Sequence, residues 1–108
     1  MRRTSVYPHA AYMIVTTAAF ISSMPKVIIY STPYCPYCLM AKRLLFKKGV
    51  AYEDIDVSGN WELRDELVAK SGGRMTVPQI WIGETHVGGY DELSALEREG
   101  KLDTLLAG

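Results

Sequence analysis

The stretch Ile28–Phe46, "IIYSTPYCPYCLMAKRLLF", holds both cysteines of the chain, Cys35 and Cys38. Just upstream, "KVIIYS" (Lys26–Ser31) is a short, nearly continuous apolar run bounded by Pro25 and Pro33, which predicts a buried strand. From Pro36 the period changes. Ala41, Leu44 and Leu45 recur at helical spacing, and Lys42, Arg43, Lys47 and Lys48 cover the other face, so Pro36–Lys48 reads as a helix. Lys47 and Lys48 oppose the negative end of its dipole, and Gly49 is placed for a left-handed cap.

Cys35 therefore falls at a strand-to-helix junction. Free N–H groups and the positive dipole end stabilise an anion there. Helix N-termini can bring a thiol from about 8.5 toward roughly 3.5–7.5. The thiolate is the attacking species in thiol–disulfide exchange, so Cys35 is the expected nucleophile. Cys38 lies one helical turn on and is expected to be the more buried, resolving thiol. Pro36 suits the first helical position because it lacks an N–H that would be orphaned anyway. A metal half-site is the competing reading. A structural zinc wants four ligands, and only His9 and His86 could join the cysteines, neither at finger-like spacing. No bound metal is expected. Two cysteines also make a poor disulfide framework.

Working outward, "AYEDIDV" (Ala51–Val57) reads as a second strand and Asn60–Lys70 as a second helix, stopped by Ser71-Gly72-Gly73. "PQIWI" (Pro78–Ile82) is a third strand, and Thr85–Val87 pairs back as a fourth across Gly83-Glu84. Asp91 is the expected N-cap of a third helix reaching Glu99, and Lys101–Leu106 adds a last turn or two. The order β-α-β-α-β-β-α makes the first two strands parallel and the last two a hairpin. The fold class is α/β, a four-stranded mixed sheet with helices on both faces.

Residues 1–23 differ from 24–108. They contain Arg2 and Arg3 and no acid, whereas all twelve Asp and Glu lie between Glu53 and Asp103. The apolar segment Ala10–Ile21 is too short to span a bilayer. It fits a secretory signal, an organelle transit segment, or a mis-called start with Met24 as the initiator, and the last is preferred. Its β-forming residues also allow an ordered extra element. A cytoplasmic location is expected, with export or an organelle as the alternative. Zero net charge argues against a dedicated nucleic-acid binder, and no apolar run reaches membrane-span length, so neither nucleic acid nor membrane is an expected partner.

Residues 24–108 resemble a glutaredoxin, of the small bacterial glutaredoxin 3 type. The resemblance rests on "CPYC" (Cys35–Cys38), "TVPQIWI" (Thr76–Ile82) and "GGYDEL" (Gly88–Leu93), in order and at family spacing. It implies a thioredoxin fold, a cis Pro78, and glutathione as reducing co-substrate. It also implies a glutathione site of Thr32, Tyr37, Thr76, Val77, Pro78, Gly88, Gly89, Tyr90 and Asp91. The Val77 backbone would pair with the cysteinyl backbone of glutathione, and the third helix's N-terminus with Asp91 would take the γ-glutamyl end. Family members often carry a lysine three residues before the first cysteine. Thr32 stands there instead, which leaves the glycyl carboxylate to Arg64 or Arg74. The implied clients are protein–glutathione mixed disulfides and protein disulfides such as that of ribonucleotide reductase, with NADPH and glutathione reductase acting indirectly and the protein a monomer. The rival function within the family is a glutathione-ligated [2Fe–2S] carrier, which the stiff Pro36 disfavours.

Overall fold

The computed structural model describes residues 4–6 and 25–108, the first three by backbone only. Met24 and the segment Ala10–Ile21 lie outside the described residues. The elements are β1 (Thr4–Val6), β2 (Val27–Ser31), α1 (Pro36–Lys47), β3 (Glu53–Asp56), α2 (Trp61–Lys70), β4 (Gln79–Ile82), β5 (Thr85–Gly88), α3 (Tyr90–Arg98) and α4 (Leu102–Ala107).

The sheet order is β1-β3-β2-β4-β5. β2 and β3 run parallel, while β2–β4 and β4–β5 are antiparallel, which is the expected four-stranded mixed sheet. A fifth strand is added to it, because β1 pairs antiparallel with the outer edge of β3. Edge strands carry unpaired N–H and C=O groups, and this pairing satisfies those on β3.

Period-two alternation divides the core. Val27 and Ile29 of β2 and Ile80 and Ile82 of β4 face Ala41 and Leu45 of α1, Leu93 of α3, and Leu102 and Leu106 of α4. Tyr30 and Trp81 point the other way, onto Leu63 and Leu67 of α2. The sheet thus lies between α2 on one face and α1, α3 and α4 on the other. Each fully buried aliphatic side chain, such as Leu45, contributes about 1.5–3 kcal/mol by leaving water. Lys48, just past α1, ties in both C-terminal helices through Glu97 (2.6 Å) and Asp103 (2.9 Å).

Three local expectations shift. The second strand is confined to Glu53–Asp56, inside the Ala51–Val57 run. Asn60 is the N-cap of α2 rather than its first helical residue, its side chain accepting from the Leu63 N–H at 3.0 Å. Asp91 is not the cap of α3. Gly89 holds that position in extended conformation, and Asp91 falls on the second helical residue. The cap is supplied from inside the helix, where Glu92 Oε1 accepts from the Gly89 N–H at 2.6 Å.

Candidate active site

β2 ends at Ser31, and the chain turns through Thr32–Tyr34 into α1. Cys35 is the N-cap residue, in extended conformation, with Pro36 at the start of the helix. Its Sγ accepts from the Cys38 N–H at 3.2 Å, as an N-cap oxygen would. Both cysteines are free thiols; Cys35 is partly exposed and Cys38 is buried.

Cys38 is held in its neutral form. Burial pushes its thiol up from 9.0 to about 12, with the side-chain hydrogen bond to Cys35 adding to the rise and a backbone hydrogen bond from Thr32 and the charge of Lys42 opposing it. Lys42 lies one turn further along α1 and pairs with Asp54 of β3 at 2.7 Å. Asp54 also accepts from the buried Ser31 hydroxyl at 2.5 Å.

Across from Cys35 the Val77–Pro78 peptide bond is cis. The Cys35 thiol donates to the Val77 carbonyl at 3.7 Å. Beside this contact opens a groove of about 170 Å³, lined by Tyr37, Arg74, Thr76, Val77, Pro78, Gly89, Tyr90, Asp91 and Glu92. The Tyr37 and Tyr90 rings approach within 6.5 Å, tilted by 35°. Three chain segments meet here: the first turn of α1, the loop before β4, and the first turn of α3.

Eight of the residues expected from sequence line this groove together. Three do not. Arg64 lies on α2 with Gly59, Asn60 and Trp61 in a separate hollow. Thr32 is half-buried and engages Cys38 through its backbone. Gly88 is buried at φ +114°, where a Cβ would come within 2.7 Å of Glu92 Oε1. Glu92 itself was missing from the expected set. It sits 3.8 Å from the Arg74 guanidinium and sets the floor for Gly88 and Gly89. The signal is weak, because only half of a capping box is present: Glu92 stands three residues after Gly89, and glycine has no side chain to complete the pair.

A family model described as Glutaredoxin matches residues 27–87, more than half of the chain. The chain belongs to the glutaredoxin family. Glutaredoxins are thiol–disulfide oxidoreductases that use glutathione, and in this chain Cys35 and Cys38 lie close together at the head of α1. The chain is 62% identical over 84 residues to a glutaredoxin of Pseudomonas aeruginosa, covering 78% of this chain and 99% of that one. It is 48% identical over 83 residues to glutaredoxin 3 of Escherichia coli, covering 77% and 99%. Among solved structures it resembles the buckwheat glutaredoxin–glutathione complex, with TM-score 0.69 and 27% identity over 91% of this chain and 90% of that one. Among the described residues no group of three or more His, Cys, Asp or Glu side chains is arranged to hold a metal ion, and no helix is long and apolar enough to cross a membrane.

Proposed function

We propose that this glutaredoxin reduces protein–glutathione mixed disulfides, and protein disulfides more slowly, with glutathione as the electron donor. The observation that carries this is the Cys35 sulfur at the head of α1, facing the Val77 carbonyl at the mouth of the groove. That arrangement suits a peptide-like thiol laid along Val77.

In the proposed cycle the Cys35 thiolate attacks the glutathionyl sulfur of a mixed disulfide. A Cys35–glutathione disulfide forms, and the client leaves as a thiolate that takes up a proton. A second glutathione thiolate attacks the glutathionyl sulfur, releasing oxidised glutathione and restoring the Cys35 thiolate. Once the Cys35 proton has gone, the Val77 carbonyl loses its donor and becomes available to the cysteinyl N–H of glutathione, as in strand addition. The first-turn N–H groups of α3 and the Asp91 carboxylate would receive the γ-glutamyl end. Tyr37 and Tyr90 would flank the ligand. Arg74 is the cation on the groove wall, and Thr76 lines the same groove. Gly88 and Gly89 would allow close backbone approach, while Arg64 and Thr32 do not line this groove and are left out of the proposed set.

Protein disulfides need Cys38 as well. Cys35 forms a mixed disulfide with the client, and Cys38 then attacks Cys35 and frees the second client thiol. Clients with cysteine pairs, such as ribonucleotide reductase, fit this step. NADPH, through glutathione reductase, would recycle oxidised glutathione. A reducing compartment such as the cytoplasm is the proposed setting, with the protein acting as a monomer.

The test is turnover of a small glutathione mixed disulfide coupled to glutathione and glutathione reductase, set beside reduction through thioredoxin reductase. Fast turnover in the first and none in the second is expected. The reverse would overturn the proposal.

A further inference from the structure

Gln79, the first residue of β4, is completely buried yet carries a polar amide. Buried amides persist where both ends are hydrogen-bonded. Here the Nε2 end donates to Thr76 Oγ1 at 3.2 Å, and the Oε1 end lies 2.8 Å from His86 Nε2. His86 comes from β5, directly opposite Trp81 in the ladder, and its ring stacks on Trp81 at 4.4 Å and 17°. The stack holds the plane of the imidazole, so an edge rather than a face meets Gln79.

The chain of contacts has a direction. An amide oxygen only accepts, so His86 Nε2 must carry a hydrogen. The amide nitrogen only donates, so Thr76 Oγ1 is the acceptor at the other end. The proton of the Thr76 hydroxyl is then committed to neither residue. Among the described residues it has no protein acceptor, and Thr76 lines the groove beside Arg74. Reversing the His86 tautomer would turn the amide over and draw the Thr76 proton inward.

We infer that Gln79 and His86 form a positioning relay that holds the Thr76 hydroxyl as a hydrogen-bond donor toward the group bound in the groove. The relay rests on the proposed glutathione site for its purpose, with a carboxylate or carbonyl oxygen of the ligand as the acceptor. Its geometry does not depend on that reading. Burial first and then the Arg74 charge, partly offset by Glu92 and with a last contribution from Lys70, keep His86 below its usual 6.5, so the neutral ring must choose one tautomer near neutral pH.

The decisive experiment has two arms. Long-range ¹H–¹⁵N spectra of the wild-type protein at pH 7.5 report the His86 tautomer. Protonation at Nε2 is expected, and protonation at Nδ1 alone would overturn the relay. In the second arm KM and kcat for a glutathione mixed disulfide are compared across Gln79→Glu, His86→Phe, Thr76→Val and Thr76→Ser. Gln79→Glu, which when ionised accepts but cannot donate, should raise KM about fivefold with kcat nearly unchanged. His86→Phe keeps the ring on Trp81, removes the N–H, and should act in the same direction. Thr76→Ser, which keeps a hydroxyl, should raise KM less than Thr76→Val. Added to Thr76→Val, neither relay substitution should change KM by more than twofold, because the hydroxyl they position is already gone. Equal penalties with and without that hydroxyl would mark a purely structural role and sink the inference. Absence of glutathione turnover in the wild-type protein would defeat the proposed function, and the tautomer would then decide the relay alone.

Discussion

The backbone N–H of Cys38 donates to the Cys35 sulfur across 3.2 Å, while the Cys38 thiol itself is buried below it. One residue thus steadies the nucleophile through its backbone and holds the second thiol in reserve through its side chain. The two roles separate under mutation. Cys38→Ser keeps the backbone donor, so turnover of small glutathione mixed disulfides should remain within about threefold of wild type. Reduction of a protein disulfide should fall by a hundredfold or more under limiting glutathione. Cys35→Ser should abolish both. Coupled assays on the two substrate types check this, and a Cys38→Ser protein dead on the small substrate would refute the division of labour.

The burial of Cys38 also predicts an alkaline liability. Its folded pKa is raised, so the stabilising contribution of the neutral thiol is complete below about 9 and is lost as pH climbs toward about 12. Between pH 8 and 10.5 the melting temperature of the wild type should therefore fall more steeply than that of Cys38→Ser. Parallel thermal melts of the two reduced proteins would show it; coincident slopes would contradict it.

Arg74 stands in the groove and in the field of His86. Arg74→Gln should raise KM for glutathione mixed disulfides about three- to tenfold, the range of one charge-assisted contact, and the effect should shrink as salt is added. The same change should move the His86 pKa upward toward its ordinary value. Burial holds it down first, but the Arg74 charge is the next cause. Steady-state kinetics and a histidine NMR titration of one variant test both statements.

Gly88 occupies a conformation that side chains avoid, and any Cβ there meets Glu92. Gly88→Ala should cost about 1–3 kcal/mol, seen as a fall in Tm of roughly 5–15 °C. Glu92→Ala removes the acceptor of the Gly89 N–H and should cost about 1 kcal/mol on its own. In the Glu92→Ala protein the Gly88→Ala penalty should drop, since only backbone strain is left. Additive losses would show that the collision is unimportant.

Much of this architecture was legible from local pattern. The β-branched run at Val27–Ser31, the helical spacing of Ala41 and Leu45, and the Gly83-Glu84 turn each name an element without reference to distant residues. The N-cap of α3 was misread because Asp is a strong capping residue by itself. Glu92 accepts from the Gly89 N–H, which lets Gly89 take the position instead. The fifth strand was only allowed for, since three residues carry too little pattern to specify a partner.

By itself the sequence determined the order of elements and the place of Cys35 at a strand-to-helix junction, because both follow from interactions within a few residues. Resemblance to the family added Arg64 and Arg74 as candidates for the groove's cation, without choosing between them. The tertiary structure alone decided that Arg74 lines the groove while Arg64 lies in a separate hollow, and that Glu92 supports the floor. It likewise joined Thr76, Gln79 and His86 into one chain of hydrogen bonds. That last link depends on how β4 and β5 align, and an irregularity between Ile80 and Trp81 alters their register. A one-residue change in register carries side chains to the opposite face, so composition and spacing leave such contacts open until the strands are paired.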